Sequence, residues 1–110
     1  MQATVIDHGS HIAVLRLVGE LDADTAGTMH RTLARLVERP VPRIVVDLAG
    51  LTFCDSIGLS AFITSKHAIN DRGGWLRFAG TSPFMAELFT AVGLSRHFVT
   101  FRNVAEALAA

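Results

Sequence analysis

Five short segments of the chain are rich in β-branched and other apolar residues, which predicts five β-strands. The predicted strands cover residues 3–7, 11–18, 43–48, 75–79 and 98–101. Apart from His11 and Arg16, residues 11–18 are apolar on both alternating faces, and residues 43–48 are nearly so. Such strands are typical of the centre of a sheet that is covered on both sides. Because only residues 8–10 link the first two strands, we expect these two to pair as an antiparallel hairpin.

Between the strands, apolar residues recur at intervals of three and four positions, which predicts helices with one buried face. The first predicted helix covers residues 23–38, and the second begins after Asp55. The third has an apolar stripe of Phe84, Leu88, Phe89 and Val92, and a terminal helix follows. The residues that cap or end these helices are Asp22 or Asp24, Pro40, Pro42, Asp55, Gly73, Ser82, Pro83, Gly93 and Asn103.

The order of these elements, ββαβαβαβα, predicts one α/β domain over residues 1–110. Its β-sheet is expected to be mixed and mostly parallel, with one antiparallel edge strand and packed helices. Residues 43–48 should lie inside this sheet, since an apolar strand of this kind is unsuited to an exposed edge.

The second helix has an unusual outer face. Its core side is predicted to hold Leu59, Phe62, Ile63 and Ile69. The opposite side collects small or uncharged residues, namely Ile57, Ser60, Ala61, Thr64, Ser65 and Ala68. A helix face that meets only water usually carries charged side chains. We therefore expect this face to be covered by another part of the fold or by a partner.

Composition excludes several classes of function. Half of the 110 residues are hydrophobic and the formal net charge is zero, so the chain is globular and has no basic patch for nucleic acid. A single cysteine, Cys54, fits a reducing compartment. The sequence has no pattern of a signal peptide and no apolar run near the roughly twenty residues of a membrane helix. We expect a cytoplasmic protein without a membrane partner.

The junction between the third strand and the second helix carries the candidate chemistry. It presents Asp55 and Ser56 where α/β sheets commonly build their sites. The simplest interpretation is that both residues only cap the helix. A serine hydrolase is only a remote alternative, because its nucleophile elbow needs glycine on both sides of the serine, in the pattern Gly-x-Ser-x-Gly. Gly58 provides the second glycine, but Cys54 stands at the position of the first. His67 lies eleven residues further on, about 16 Å along the helix, so no triad base is available and no enzyme is predicted.

Metal, nucleotide and thiol chemistry find little support. The five histidines are His8, His11, His30, His67 and His97. No cysteine or acidic cluster completes a tetrahedral set with them, so we predict no metal. Gly73 and Gly74 precede a strand rather than a helix, which disfavours a phosphate loop and any nucleotide cofactor. Cys54 is expected to be a buried, unreactive thiol.

Two segments carry a family resemblance: Gly19-Glu20-Leu21-Asp22, and residues 46–59 with the sequence VDLAGLTFCDSIGL. They closely resemble the anti-sigma factor antagonists of bacteria, the founding members of the STAS domain family. The resemblance extends over nearly the whole chain, and its most specific part is the Asp-Ser-x-Gly-Leu element at Asp55. In that family the matching serine, here Ser56, is phosphorylated by an anti-sigma factor serine kinase.

The resemblance implies a partner switch. The unphosphorylated protein would bind the anti-sigma kinase and free a sigma factor, whereas phosphorylation of Ser56 would release the kinase until a phosphatase resets the protein. The residues assigned to partner binding are Asp22, Asp55, Ser56, Ile57, Gly58, Ser60, Ala61 and Thr64. Asp22 should lie near Asp55, on the loop that leaves an adjacent parallel strand. The alternative within the same family is a scaffold or sensor that is never phosphorylated.

Three features refine this hypothesis. Ile57 stands where many family members have a second serine or threonine, which leaves Ser56 as the only hydroxyl of the element. Among nearby hydroxyls, Thr52 is expected to be buried, and Ser60 and Thr64 lie beyond the free amides of the helix start. Gly58 is expected to be flexible and to let a kinase approach the backbone closely.

Overall fold

Strands and helices alternate along the chain after an initial hairpin, in a computed structural model that describes residues 1–9, 11–91, 93 and 98–110. The elements are β1 (Gln2–His8), β2 (Ile12–Leu21), α1 (Ala26–Val37), β3 (Arg43–Cys54), α2 (Ser56–Asp71), β4 (Trp75–Ala79), α3 (Pro83–Ala91), β5 (Val99–Phe101) and α4 (Val104–Ala109). Their order is the predicted ββαβαβαβα.

The strands form one sheet with the spatial order β1-β2-β3-β4-β5. β1 pairs with β2 in antiparallel fashion, and the pairs β2–β3, β3–β4 and β4–β5 are parallel. The predicted hairpin, the mixed sheet and the internal position of β3 are therefore confirmed. β3 is central because residues 44–48 are buried on both faces of the strand, whereas β1 is largely exposed.

The two faces of the sheet are covered unequally. Helices α1, α2 and α3 pack on one face through a large apolar core that includes Leu15, Met29, Val46, Phe62 and Phe89. Helix α4 covers the other face, where Ala107 packs with Val14, Val45 and Ala79. The domain consequently has one thick layer of three helices and one thin layer on the opposite side.

Aromatic contacts lock the larger core. The centroid of the Phe78 ring on β4 lies 5.0 Å from the ring centroid of Phe62 on α2 and 5.6 Å from that of Phe89 on α3. Both pairs are edge to face. The Phe78 centroid also lies 4.7 Å from that of the Phe98 ring. Edge-to-face pairs of this kind stabilise beyond their buried area. They fix α2 and α3 relative to β4, and so fix the direction in which α2 starts.

Several predicted boundaries are wrong in an informative way. β2 and β3 run on to Leu21 and Cys54, so residues 51–53 are strand rather than a link. The pairing of β2 with β3 continues over this extension with two irregularities in its register, at Arg16/Val18 and at Gly19/Glu20. The prediction that β2 is covered on both faces holds only for its first half, since Arg16 and Val18 are exposed.

The start of one helix and the start of one strand differ from the prediction as well. α1 begins at Ala26 rather than at residue 23, because Asp22 and Thr25 form a hydrogen-bonded turn before it. Phe98 precedes β5 instead of opening it. Val92, predicted in the apolar stripe of α3, and His97 lie outside the described residues.

Candidate functional site

The predicted site residues leave the same end of the sheet. Leu21 and Cys54 are register partners at the carboxyl ends of the parallel strands β2 and β3. Just beyond them, the Asp55 amide donates a hydrogen bond of 3.1 Å to the Leu21 carbonyl. Asp22 and Asp55 therefore leave adjacent parallel strands at the same end of the sheet, as the sequence predicted, and each is the first residue beyond its strand.

Asp55 forms the start of α2. Its backbone is extended, and its Oδ1 accepts a hydrogen bond of 3.0 Å from the Gly58 amide, which makes Asp55 the N-cap. Its carbonyl oxygen accepts the first intrahelical bond, from the Leu59 amide. The capping role proposed as the simplest interpretation is thus correct for Asp55.

Ser56 is the first residue of α2 and is exposed. In contrast to Asp55, its hydroxyl makes no hydrogen bond within the described part of the chain, and the cap is complete without it. Ser56 lies where the leading amides of a helix favour negative charge. The hydroxyl is open to a partner and stands at a position that accommodates a phosphate.

Gly58 has a different role from the predicted one. It is buried, and a Cβ atom there would lie 2.6 Å from Cγ of Leu21 and 3.2 Å from Sγ of Cys54. The expectation that Gly58 gives a kinase access to the backbone is therefore wrong. Its missing side chain instead lets the first turn of α2 lie directly on the end of β2, and this contact positions Ser56.

The loop after β2 is organised by Asp22 and Thr25. Oδ1 of Asp22 accepts hydrogen bonds from the amides of Asp24 and Thr25, at 3.0 and 3.1 Å. The Thr25 hydroxyl donates to the Glu20 carbonyl at 2.8 Å and accepts from the Asp22 amide at 2.9 Å. These bonds hold a short acidic loop beside the start of α2.

The hydroxyls of Thr52, Ser60 and Thr64 each donate a hydrogen bond to a backbone carbonyl. Ser60 donates to the Ser56 carbonyl at 2.8 Å, and Thr64 donates to the Ser60 carbonyl at 3.1 Å. Thr52 is exposed, not buried as predicted, but its hydroxyl donates to the Gly19 carbonyl at 3.1 Å. Ser65, predicted on the outer face, is buried.

Apart from Ser65, the residues predicted on the outer face of α2 are exposed or half-buried. Ile57 is 53% exposed, Ser60 and Thr64 are exposed, and Ala61 and Ala68 are half-buried. About half of the surface of Ile57 is therefore open to a partner.

An aromatic pair that includes Phe53, three residues before Ser56, was not predicted from the sequence. Phe53 and Phe84 are 41% and 48% exposed, and their rings stack with centroids 6.4 Å apart. Phe84 was predicted to belong to the core stripe of α3, and Phe53 to a link. The available signal was Pro83, which places Phe84 in the first turn of α3, where a side chain can point past the core.

Cys54 is inert, as predicted. The side chain is buried at 2% exposure. Burial, reinforced by the negative charge of Asp55, raises the pKa of the thiol to about 12. A thiol with such a pKa is neutral at physiological pH and is a poor nucleophile or metal ligand.

The described residues contain no group of three or more His, Cys, Asp or Glu side chains suited to a metal ion. The four histidines within the described ranges, His8, His11, His30 and His67, are all exposed and lie on β1, the hairpin turn, α1 and α2. Within those ranges, no helix is both long and apolar enough to cross a membrane.

Comparison with known proteins agrees with the fold and the motif. The family model of the STAS domain matches residues 3–107. This chain belongs to the STAS domain family. It is 28% identical over 104 residues to an anti-sigma F factor antagonist of Paenibacillus polymyxa, a match that covers 94% of this chain and 89% of that protein.

Solved structures of STAS proteins share the architecture. An anti-sigma factor antagonist from Mycobacterium paratuberculosis superposes with a TM-score of 0.88 at 23% identity, over 98% of this chain and 91% of that one. The phosphorylated form of the Bacillus cell fate determinant SpoIIAA superposes with a TM-score of 0.77 at 21% identity, over 98% and 97% of the two chains. These likenesses place the present domain firmly in the STAS fold.

Proposed function

We propose that this STAS domain is an anti-sigma factor antagonist that works as a partner switch in the bacterial cytoplasm. Unphosphorylated, it binds an anti-sigma serine kinase and frees a sigma factor. Phosphorylation of Ser56 releases it, and a phosphatase restores the binding form. The observation that carries the proposal is the exposed Ser56 side chain at the first position of α2. Its hydroxyl makes no hydrogen bond within the described residues. A relative named as an anti-sigma F factor antagonist supports it.

Local charge is sufficient to operate the switch. A phosphate on Ser56 adds about −1.5 to −2 charges at neutral pH. The start of α2 tolerates this charge, so the fold survives. The new charge nevertheless stands beside Asp55 and the uncharged outer face of α2. Burying it there under a partner without a matching cation costs several kcal/mol, and about 1.4 kcal/mol already changes an affinity tenfold.

Ser56 is proposed as the sole acceptor. The hydroxyls of Thr52, Ser60 and Thr64 each donate to a backbone carbonyl. Phosphorylation would remove that donor and set the phosphate against the carbonyl oxygen. Ser56 has no such bond to lose within the described chain.

The partner is proposed to cover the outer face of α2 and the neighbouring acidic loop. This surface comprises Asp22, Asp55, Ser56, Ile57, Ser60, Ala61 and Thr64. Gly58 supports it from beneath without touching the partner. The acidic loop held by Asp22 would select a partner with basic groups at the corresponding positions.

The test compares Ser56→Ala with Ser56→Asp by titration calorimetry against the anti-sigma serine kinase that phosphorylates the wild-type chain with ATP. Ser56→Ala is expected to bind as tightly as the unphosphorylated protein. Ser56→Asp is expected to bind at least tenfold more weakly, because it places a charge where the phosphate would be. Thermal melts of both variants should stay close to the wild-type value, since an acidic residue is favourable in a first helical turn.

Two results would contradict the proposal. Equal affinity of the two variants would mean that the charge at residue 56 does not control binding, as in a constitutive scaffold. A much lower melting temperature of Ser56→Asp would mean that unfolding explains its weaker binding. Mass spectrometry of the ATP-treated wild-type chain provides the companion measurement, with phosphate expected on Ser56 alone.

A further inference from the structure

Among the exposed large apolar side chains of the described residues, two phenylalanines form a stacked pair. The rings of Phe53 and Phe84 have centroids 6.4 Å apart and an interplanar angle of 23°. Phe53 is 41% exposed and Phe84 is 48% exposed. The pair joins the end of β3 to the first turn of α3, and so connects two elements that are distant in sequence.

This aromatic pair lies at the same end of the sheet as the proposed phosphorylation site, because α2 and α3 follow the adjacent parallel strands β3 and β4. Phe53 is three residues before Ser56, and at about 3.3 Å per extended residue their Cα atoms are at most about 10 Å apart. A partner in a standard interface covers about 800 Å² of each protein, which corresponds to a patch about 16 Å in radius. A patch of this radius centred on Ser56 therefore extends as far as Phe53 and Ile57.

The chemistry of the pair suits a binding anchor. Phenylalanine rings lose little conformational entropy on binding, and these two already hold each other in place. Exposed aromatic residues near the centre of an interface commonly carry much of the binding energy. Phe53 and Phe84 remain 41% and 48% exposed, which leaves aromatic surface available to a partner.

We propose that Phe53 and Phe84 form the apolar anchor of the kinase-docking surface and that α3 is part of this interface. The inference rests on the proposed partner switch and assigns separate roles in it to the two rings and to Ser56. The two rings enter an apolar pocket of the kinase and contribute to affinity whatever the charge of Ser56. The charge at Ser56 then determines whether that affinity is sufficient.

The experiment uses the full chain and the kinase that phosphorylates the wild-type protein with ATP. Phe84→Ala is the test variant, because its ring is the more exposed of the two and its loss disturbs the core less. Val99→Ala is the control, since Val99 is 58% exposed on β5, away from Ser56 in the sheet. Calorimetry gives the affinity, steady-state phosphorylation gives kcat and KM, and a thermal melt verifies folding.

We expect Phe84→Ala to weaken binding about tenfold and to raise KM by a similar factor, with kcat unchanged. Val99→Ala should leave all three values unchanged. In the background of Ser56→Asp, Phe84→Ala should again weaken binding about tenfold, because the anchor and the charge act independently. A Phe84→Leu variant should fall between wild type and Phe84→Ala, as expected for an apolar contact.

The outcomes separate this inference from the switch itself. If Ser56→Ala and Ser56→Asp differ in affinity but Phe84→Ala binds like wild type, the anchor is refuted and the switch stands. If the two Ser56 variants bind equally, the switch fails, whatever Phe84 does. Self-association of the wild-type chain that Phe84→Ala abolishes, seen by sedimentation, would assign the pair to a second copy of this chain and would also refute the anchor.

Discussion

Ser56 and Cys54 are two positions apart, yet their environments give them opposite chemistry. The Ser56 hydroxyl is exposed at a helix start that stabilises negative charge. The Cys54 thiol is buried at the strand end, in contact range of the space that Gly58 leaves open. Burial opposes the charged form of a group, whereas exposure at a helix start favours it. The exposed hydroxyl is therefore the group of this junction that we propose as the phosphate acceptor, although a thiol is intrinsically the better nucleophile.

The raised pKa of Cys54 predicts an alkaline loss of stability. The folded thiol, with a pKa of about 12, stays neutral where the unfolded thiol ionises. Its contribution is complete below the unfolded pKa of about 8.5 and decreases as pH rises towards the folded value. We expect the free energy of unfolding to fall by one to two kcal/mol, roughly, between pH 8 and pH 10.

Urea titrations across this pH range measure the effect, with Cys54→Ala as the control. The chain has no tyrosine and a single cysteine, so the control removes the only thiol. Cys54→Ala is less stable overall because it leaves a small cavity. Its stability should nevertheless be flat between pH 8 and pH 10. A slope in the variant equal to that of the wild type would assign the alkaline loss to another group.

At the scale of the element, α2 illustrates how far a sequence pattern reaches. Its three-to-four periodicity correctly placed Leu59, Phe62 and Ile69 in the core. It placed Ser65 outside, but this residue is buried, since a small side chain can sit beneath a neighbouring element that no single-helix pattern includes. The role of Gly58 was also missed, because its contact with Leu21 joins residues far apart in sequence.

Asp55 caps the start of α2, and its replacement should lower the free energy of unfolding. Asp55→Ala removes the hydrogen bond from the Gly58 amide and the negative charge at the helix start. We expect a loss of about 1 kcal/mol in the free energy of unfolding, the usual effect of losing an N-cap. Asp55→Asn keeps an acceptor at the same position and should lose much less.

Urea unfolding of the two variants measures this difference. Near-wild-type stability of Asp55→Ala would mean that water replaces the cap and that the packing of Gly58 alone sets the start of α2. Equal losses in both variants would mean that charge, rather than the hydrogen bond, is the stabilising part of Asp55.

At the scale of the whole molecule, the candidate site and the close contact between the connections after α1 and α2 lie at opposite ends of the sheet. The carboxyl ends of β2 and β3 carry Asp22, Asp55 and Ser56. At the amino ends, the connection after α1 meets the connection after α2: the Trp75 amide donates to the Pro42 carbonyl at 3.0 Å. The alternation of strands and helices predicted both ends from the sequence. The contact between the two connections was not predictable, because it depends on how closely the crossovers approach one another.

Gly73 and Gly74 provide the test of this separation. A Cβ atom on Gly74 would lie 1.8 Å from the Pro42 carbonyl oxygen, a backbone atom that cannot move aside alone. Gly73 has open space around it but a φ of +76°, which a side chain tolerates poorly. We expect Gly74→Ala to lose at least about 2 kcal/mol of stability and Gly73→Ala about 1 kcal/mol. Gly73→Asn should lose less than Gly73→Ala, since asparagine adopts positive φ more readily.

Urea unfolding gives these stabilities, and calorimetry against the anti-sigma kinase gives the consequence for binding. At a temperature where Gly74→Ala is still folded, its affinity should equal that of the wild type, because the strained contact is at the end of the sheet opposite Ser56. Wild-type stability of Gly74→Ala would show that the two connections can move apart freely. Weaker binding by the folded variant would show that strain at the amino ends of the strands reaches the start of α2 through β3, and that the two ends of the sheet are coupled.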